Sequence, residues 1–376
     1  MQDITLIILA AGSSTRFNKP IKKQWIRVDE EPLWLYVTNK IASYSSFHKI
    51  VVASHKDELE YMKNFSNNIN FIEGGRTRQE SIKNSLSQVD TKYVMISDMA
   101  RVNIPKSIVK ELIENKTKAH CIVPFINVSD TVVYKDKTIN KDEIKLIQTP
   151  QLSLTSKLKE SLKSNVIFTD DSSLIKSNNG TIKYIKGDIK SHKLTFQNDI
   201  KSIDNLKSSS KNIYTGIGLD THAFEENIPM FLGGIKIDVP YGFKAHSDGD
   251  VLIHSLIDSL LGACGAGDIG EFFPDTSIKY KNISSTLLLE KIINFIYNIG
   301  YEINNIDITL IAQKPKLQKY KKSIKTNLAK IINIKPIFIN IKATTSEELG
   351  FIGRSEGISV HSISSLRFYD WKNDES

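Results

Sequence analysis

The positions richest in chemistry lie just past the middle of the 376-residue chain, where Asp220-Thr221-His222 precedes the runs AHSDGDVLIH (245–254) and GDIGEFFPD (267–275). Asp220 and His222 stand two apart at the end of an apolar stretch, Ile213 to Leu219, that reads as a strand. Alternate side chains of a strand leave on the same face, so both point one way. His254 falls in a stretch from about Asp250 to Leu261 that reads as a helix. One carboxylate and two imidazoles make a three-ligand zinc set with the fourth position open, the pattern of catalytic rather than structural zinc. A lone Asp-x-His would more often be two ordinary polar residues beside a core; the surrounding motifs shift that balance.

A second chemical cluster opens the chain. The apolar run Ile4 to Leu9 leads into Ala10-Ala11-Gly12-Ser13-Ser14-Thr15-Arg16, followed by Lys19, Lys22 and Lys23. Small residues let backbone approach phosphates closely, and their N–H and hydroxyl groups can bind them. Arg16 and Lys23 are placed to neutralise charge on a transferring phosphoryl group. The loop is neither a Walker A sequence nor a GxGxxG fingerprint, and taken alone it reads equally as a plain turn between strand and helix.

Elements must hold these residues in place. In the first 200 residues, strands are expected at Ile4 to Leu9, Lys49 to Ala53, Tyr93 to Ser97 and Ala119 to Pro124. Helices between them are expected at Pro32 to Ser43, Arg78 to Gln88 and Lys106 to Asn115. That alternation predicts a doubly wound, mostly parallel α/β domain. Leu206 to Asn212 is small, polar and serine-rich, which places a linker there and domains at 1–207 and 208–376. The second half predicts a smaller α+β domain, with helices near 250–262, 284–298 and 318–332. Its strands are expected near 213–219, 230–237, 305–313, 337–343 and 358–366.

Composition narrows the function classes. Residues 1–210 hold 32 Lys and Arg against 23 Asp and Glu, a net of +9, while residues 211–376 come to −1. A basic first half suits an anionic ligand, although lysine, asparagine and isoleucine are abundant throughout and many lysines simply coat the surface. No apolar run is long enough to span a bilayer, and residues 4–11 lack a basic leader, so no membrane association is expected. Two distant cysteines, Cys121 and Cys264, suit a reducing cytoplasm. An aromatic-and-basic recognition motif of the RNP type is missing, which argues against a nucleic-acid-binding module.

Taken together, AHSDGDVLIH, GDIG, FFPD and KATTSEELGFIGRSEG (342–357) resemble 2-C-methyl-D-erythritol 2,4-cyclodiphosphate synthase over about Asn212 to Phe368. The resemblance implies Asp220, His222 and His254 as zinc ligands and Glu347 as a magnesium ligand. It puts His246, Ser247, Asp268, Gly270 and Asp275 on the erythritol and its phosphate, and gives His246 and Thr345 catalytic roles. Ala312, Lys316, Ala343, Thr344, Phe351 and Arg354 would form the nucleotide side of that pocket, with Thr345 among them. It further implies a trimer with sites at subunit junctions.

The first half resembles 2-C-methyl-D-erythritol 4-phosphate cytidylyltransferase over about residues 1–205, through the Ala10–Arg16 loop, Gly74-Gly75 before Arg78 and Ser81, Asp98 before Arg101, Asp130-Thr131, and Gln148-Thr149-Pro150-Gln151. The resemblance implies that Arg16 and Lys23 stabilise the transition state and that Asp98 binds magnesium. Ala10, Ala11, Gly12, Gly75, Ser81 and Arg101 would face the nucleotide and Thr131 and Lys141 the sugar phosphate, while Lys193, in Lys193-Leu194-Thr195, would be the family's basic residue near the end of the domain, all three with catalytic roles. Several positions depart from the family: Ser14 replaces a glycine, Lys22 a proline, Ser97 a histidine, Met99 an alanine and Val102 a proline. Lys141 replaces an arginine and cannot make its bidentate fork.

These resemblances together imply a bifunctional enzyme of non-mevalonate isoprenoid precursor synthesis. Its substrates would be CTP, methylerythritol phosphate and CDP-methylerythritol 2-phosphate. The alternative is a sugar-nucleotide pyrophosphorylase fused to a zinc-dependent phosphohydrolase. The product of the first reaction lacks the 2-phosphate consumed by the second, so a separate kinase must act between them.

Overall fold

The computed structural model describes residues 3–163, 166–245, 248–274, 276 and 283–373. The chain divides into two compact units, residues 1–209 together with 370–376, and residues 210–369. In chain order, therefore, the second unit is inserted between Ser209 and Asp370 of the first.

Continuous runs of branched apolar residues build the first unit, and such runs suit strands covered on both faces. Its sheet runs in the order Lys145–Ile147, Cys121–Asn127, Gln151–Leu154, Tyr93–Asp98, Ile4–Leu9, Lys49–Ser54, Asn70–Glu73. Ile4–Leu9 pairs in parallel with both Lys49–Ser54 and Tyr93–Asp98, and Ile182–Lys186 pairs in parallel with Cys121–Asn127. The expected Ala119 to Pro124 strand does not pair directly with Tyr93–Asp98. Gln151–Leu154 lies between them, antiparallel to both. Four residues directly after Pro150 carry too short a pattern to read as a central strand, which is why the periodicity misses it. Ile7, Val51, Val94, Ile96 and Val123 are fully buried in the core beneath the helices.

In the second unit the sheet order is Tyr241–Phe243, Ile213–Glu226, Gly357–Phe368, Tyr301–Ile311, Ile339–Thr344. All neighbours are antiparallel except the last pair. The first strand is a 14-residue element that carries Asp220 and His222 in its second half. The helix Val251–Cys264 is capped by Asp250, which accepts from Ile253 N at 3.1 Å, and ends at Gly265 in the left-handed region. It packs closely on the sheet because Gly218 faces it: a Cβ there would stand 1.9 Å from Ser255 O. Ser255 and Ser259 donate to or share protons with Ser362 and Ser364 across the contact, at 2.9 and 2.6 Å. Alternation along the strand turns Ile217 and Leu219 to the other face, where they are 68% and 58% exposed, beside the exposed Ile363.

The expected strand at 230–237 is two strands, Met230–Leu232 and Ile235–Ile237, folded back at Gly233-Gly234. Both glycines have positive φ, 59° and 74°, which a side chain would resist. The serine-rich segment also differs from a free tether. Ser208 O accepts from Asp29 N at 3.1 Å, and Leu206 and Ser209 are buried against the first unit.

Candidate active sites

The loop after Ile4–Leu9 forms one wall of a cleft of about 990 Å³ in the first unit, lined by residues 9–16, Lys23, Gln24, Gly74–Arg78, Ser81, Asp98 and Lys193. Ser14 turns the loop with φ 58° and anchors it, since its hydroxyl donates to Gln24 Oε1 at 3.1 Å and accepts from Lys23 N at 3.1 Å. Ser81 holds the opposite wall, accepting from Gly75 N at 3.0 Å. Asp98 ends the central strand at the floor of the cleft, with its own N–H donated to Thr149 Oγ1 at 3.1 Å.

Cations converge on Asp98. Lys193 Nζ donates to Oδ2 at 2.6 Å and Arg78 Nε to Oδ1 at 3.1 Å. Burial would raise the Asp98 pKa, but Arg78 and Lys193 more than reverse that and hold its carboxyl well below the usual range. Arg78 also donates to Asp171 Oδ1 at 2.6 Å, and burial pushes the Asp171 carboxyl up despite that partner. Lys23 donates to Leu194 O at 3.0 Å. Its ammonium is lowered to about 8, first by burial and then by repulsion from Lys193 and Arg16.

Some expected residues stand apart. Arg101 is tied to backbone, donating to Ser191 O at 2.7 Å and Ile147 O at 3.2 Å, and lines a separate pocket of about 270 Å³ with Lys193. Thr131 and Lys141 are exposed beside the hairpin Val132–Tyr134 and Lys137–Ile139, where Lys141 Nζ donates to Ser129 O at 2.8 Å. Asp171 was not singled out from the sequence. Its only cue is Asp170-Asp171 opening a short helix, which reads as ordinary capping.

In the second unit, strand and helix bring Asp220, His222 and His254 together, with one ligand atom of each within 4.8 Å of the others. Asp220 Oδ2 lies 3.1 Å from His222 Nε2 and 3.3 Å from His254 Nδ1. Burial opposes it, yet the two imidazoles hold the Asp220 carboxyl well below its usual range. The other ring nitrogens are engaged. His222 Nδ1 is 2.9 Å from Gly249 O, and His254 Nε2 is 3.0 Å from Ser285 Oγ, which donates to Asp248 Oδ1 at 2.5 Å. A carbonyl only accepts, so His222 donates its Nδ1 proton to Gly249 O and turns Nε2 toward Asp220. The Ser285 hydroxyl spends its proton on Asp248, so His254 Nε2 donates to Ser285 and Nδ1 is the nitrogen turned toward Asp220. Nε2 of His222 and Nδ1 of His254 thus both point at Asp220, while the opposite ring nitrogens are fixed by outer contacts of the kind that orient metal ligands. Ser285 and Asp248 escaped the sequence reading, because serine and aspartate at a helix start look like caps.

The remaining expected residues form a second group. Ala343 and Thr344 end the strand Ile339–Thr344, Ala312 N donates to Thr344 O at 3.0 Å, and Lys316 is exposed nearby in sequence. Thr345 Oγ1 donates to Glu347 Oε1 at 2.6 Å, in a loop where Glu347 has φ 50°. Asp268 caps the short helix containing Gly270, accepting from Glu271 N at 3.1 Å. Phe351 is exposed, and Arg354 makes a two-bonded pair with Glu356 at 2.8 and 3.0 Å. Register places Asp220, Val360, Leu310 and Ala343 in one row across the sheet. Three strand spacings put the imidazole group and the Ala343 group about 14 Å apart in one chain. His246, Ser247 and Asp275 lie outside the described residues.

A doubly wound domain with a small-residue loop, cationic walls and a carboxylate floor defines a nucleotidyltransferase. It is joined to an α+β domain bearing a metal-competent triad. Residues 4–206 match the family of 2-C-methyl-D-erythritol 4-phosphate cytidylyltransferase, and residues 213–367 match the YgbB family. The bifunctional enzyme IspD/IspF of Aliarcobacter butzleri is 58% identical over 372 residues, covering 99% of this chain and all of that one. That of Campylobacter fetus is 50% identical over 373 residues, again covering 99% and 100%. The structure of bifunctional IspDF from Campylobacter jejuni superposes with a TM-score of 0.88 at 48% identity, covering 99% of this chain and 100% of that one. The chain belongs to the bifunctional IspD/IspF family, a cytidylyltransferase and a cyclodiphosphate synthase of isoprenoid biosynthesis on one polypeptide. The pyrophosphorylase–hydrolase alternative finds no support among these relatives.

Proposed function

We propose that residues 1–207 carry out cytidylyl transfer and residues 208–376 the cyclisation, with the roles as follows. In the first reaction a phosphate oxygen of methylerythritol phosphate attacks the α-phosphorus of CTP. The bond to the β-phosphate breaks and pyrophosphate leaves. The convergence of Lys193 and Arg78 on Asp98, below the Ala10–Arg16 loop, is the observation that carries this reading. Backbone of Ala10, Ala11, Gly12 and Gly75, with Ser81, cradles the nucleotide. Arg16 and Lys23 stabilise charge building on the attacked phosphorus. Thr131, Lys141 and Lys193 orient the sugar phosphate, and Arg101 braces the segment bearing Lys193 through Ser191 O.

In the second reaction the 2-phosphate attacks the β-phosphorus, closing the cyclic diphosphate and expelling CMP. Asp220, His222 and His254 fit zinc by donor type and by the ring nitrogens they bring together, and they would hold it. Asp98 would hold magnesium in the first site once Lys193 swings away, and Glu347 in the second. Bound there, these ions supply Lewis-acid charge neutralisation and orientation. Neither site needs a protein base, because a phosphate monoester with a second pKa near ~6 is already ionised. His246 and Thr345 assist the closing phosphate. Ser247, Asp268, Gly270 and Asp275 hold the erythritol phosphate. Ala312, Lys316, Ala343, Thr344, Phe351 and Arg354 hold the cytidine diphosphate.

The second unit forms a trimer in this reading. The exposed Ile217, Leu219 and Ile363 need cover, and the separation of about 14 Å lets a neighbour complete each site. We place the enzyme in the cytoplasm, without nucleic-acid or membrane partners; among the described residues no helix is long and apolar enough to cross a membrane. Nucleotide choice tests the first assignment. CTP with methylerythritol phosphate should release pyrophosphate, whereas ATP, GTP and UTP should give at most a few percent of that rate. Equal use of UTP would overturn it.

A further inference from the structure

Trp371 follows the last strand of the second unit by three positions, yet it belongs to the first unit and is only 1% exposed. Its indole N–H donates to Arg27 O at 2.7 Å, and Lys372 Nζ donates to Leu206 O at 2.7 Å. Asn373 closes the segment back on Asp370 through Nδ2–Oδ2 at 2.8 Å. Here an entire indole is buried and its one donor is satisfied.

From Trp371 an unbroken chain of contacts leads to the nucleotide loop. Arg27 is itself buried, and its guanidinium lies 5.4 Å from the ring centroids of both Trp25 and Phe65. Trp25 Nε1 donates to Glu58 Oε2 at 2.6 Å, and the same carboxylate accepts from Gln24 Nε2 at 3.2 Å and pairs with Lys22. Gln24 Nε2 also donates to Gly12 O at 3.0 Å, and Gln24 Oε1 accepts from Ser14. Lys23 lies between Lys22 and Gln24, both anchored on Glu58. Its direction into the cleft is therefore set by a segment clamped at Trp25–Arg27.

We propose that Asp370–Asn373 is a working part of the cytidylyltransferase unit and that Trp371 is a positioning residue for the first reaction. It holds Trp25–Arg27, and through them Lys23 and the Gly12–Ser14 backbone. The boundary between activities at 207/208 is then not the folding boundary. Displacing such a loop by about 1 Å is enough to cost on the order of a hundredfold in rate. The proposal rests on Lys23 serving cytidylyl transfer, so its test reads position and turnover separately.

The experiment uses the full chain, a chain ending at Tyr369, and the Trp371→Ala and Trp371→Phe variants. Hydrogen exchange of residues 12–27 should quicken at least tenfold in the truncated and alanine proteins, while the core strand Tyr93–Asp98 stays protected. Turnover for pyrophosphate release should fall at least tenfold with the Michaelis constant for CTP changed less than threefold, and CMP release should be unaltered. A synthetic peptide of residues 366–373 should restore turnover to the truncated chain. Trp371→Phe keeps a smaller aromatic ring without the N–H, disturbs folding less than alanine, and should fall between the extremes. Unchanged exchange at 12–27 would overturn the coupling, and quickened exchange with normal turnover would overturn the assignment to the reaction. Equal loss of both activities, unrelieved by the peptide, would also overturn it.

Discussion

Ser285→Ala isolates the support of one imidazole in the second site. Ser285 Oγ links Asp248, at 2.5 Å, to His254 Nε2, at 3.0 Å, and so keeps Nδ1 as the nitrogen facing Asp220 at 3.3 Å. The His254 side chain is 14% exposed, so water replaces the lost hydroxyl poorly. With alanine the ring is free to turn or to exchange its proton between nitrogens. Losing such an outer contact weakens metal binding by about ten- to a hundredfold, equivalent to about 1.4–2.8 kcal/mol. Competition with a chromophoric zinc chelator measures this directly, starting from about one zinc per wild-type chain. Ser285→Thr retains a hydroxyl and should stay within threefold of wild type. Wild-type zinc affinity in Ser285→Ala would refute the reasoning, and full zinc occupancy in His222→Ala would remove the metal assignment itself.

Lys23, lowered to about 8, works only when protonated, so kcat/KM for pyrophosphate release should be level from about pH 7, where the attacking phosphate is ionised, to about pH 8 and fall tenfold per unit above it. Lys23→Ala should erase that limb and cut turnover by about 10²–10³ with little change in the Michaelis constant for CTP; a limb that survives the substitution belongs to another group. Arg78→Met strands the buried carboxylate of Asp171 and should cost the first unit about 3–5 kcal/mol in chemical denaturation, partly recovered by adding Asp171→Asn. An unmoved denaturation midpoint contradicts the role of that pair. For the second unit, light scattering should report a trimer. Inactive His254→Ala and Lys316→Ala chains, mixed and reassembled, should regain CMP release, and no recovery in confirmed mixed trimers rules out a shared site.

Local chemistry was legible where it repeats a pattern. The strand Ile4–Leu9 and the helix Val251–Cys264 follow from an apolar run and from Asp250 at a helix start. Asp220 and His222 converge with His254 because one strand period and one helix deliver them. What stayed hidden depends on contacts distant in sequence. Gln151–Leu154 becomes a central strand only because two longer strands flank it. Asp171 becomes a site residue only through Arg78, 93 positions away, and Trp371 joins the first unit 344 positions from Arg27. No period or spacing encodes such partners. The extent of the polar segment was readable at 206–212, but not that Ser208 and Ser209 are held by Asp29.

The central claim is two independent chemistries on one polypeptide, and one paired assay of a single preparation tests it most directly. Wild-type protein, Asp98→Ala and His222→Ala are each given CTP with methylerythritol phosphate, followed by pyrophosphate, and separately CDP-methylerythritol 2-phosphate, followed by CMP. The account predicts that wild type performs both reactions. Asp98→Ala should lose pyrophosphate release while keeping CMP release, and His222→Ala should show the reverse. Loss of both products from either variant, or retention of pyrophosphate release without Asp98, would contradict it.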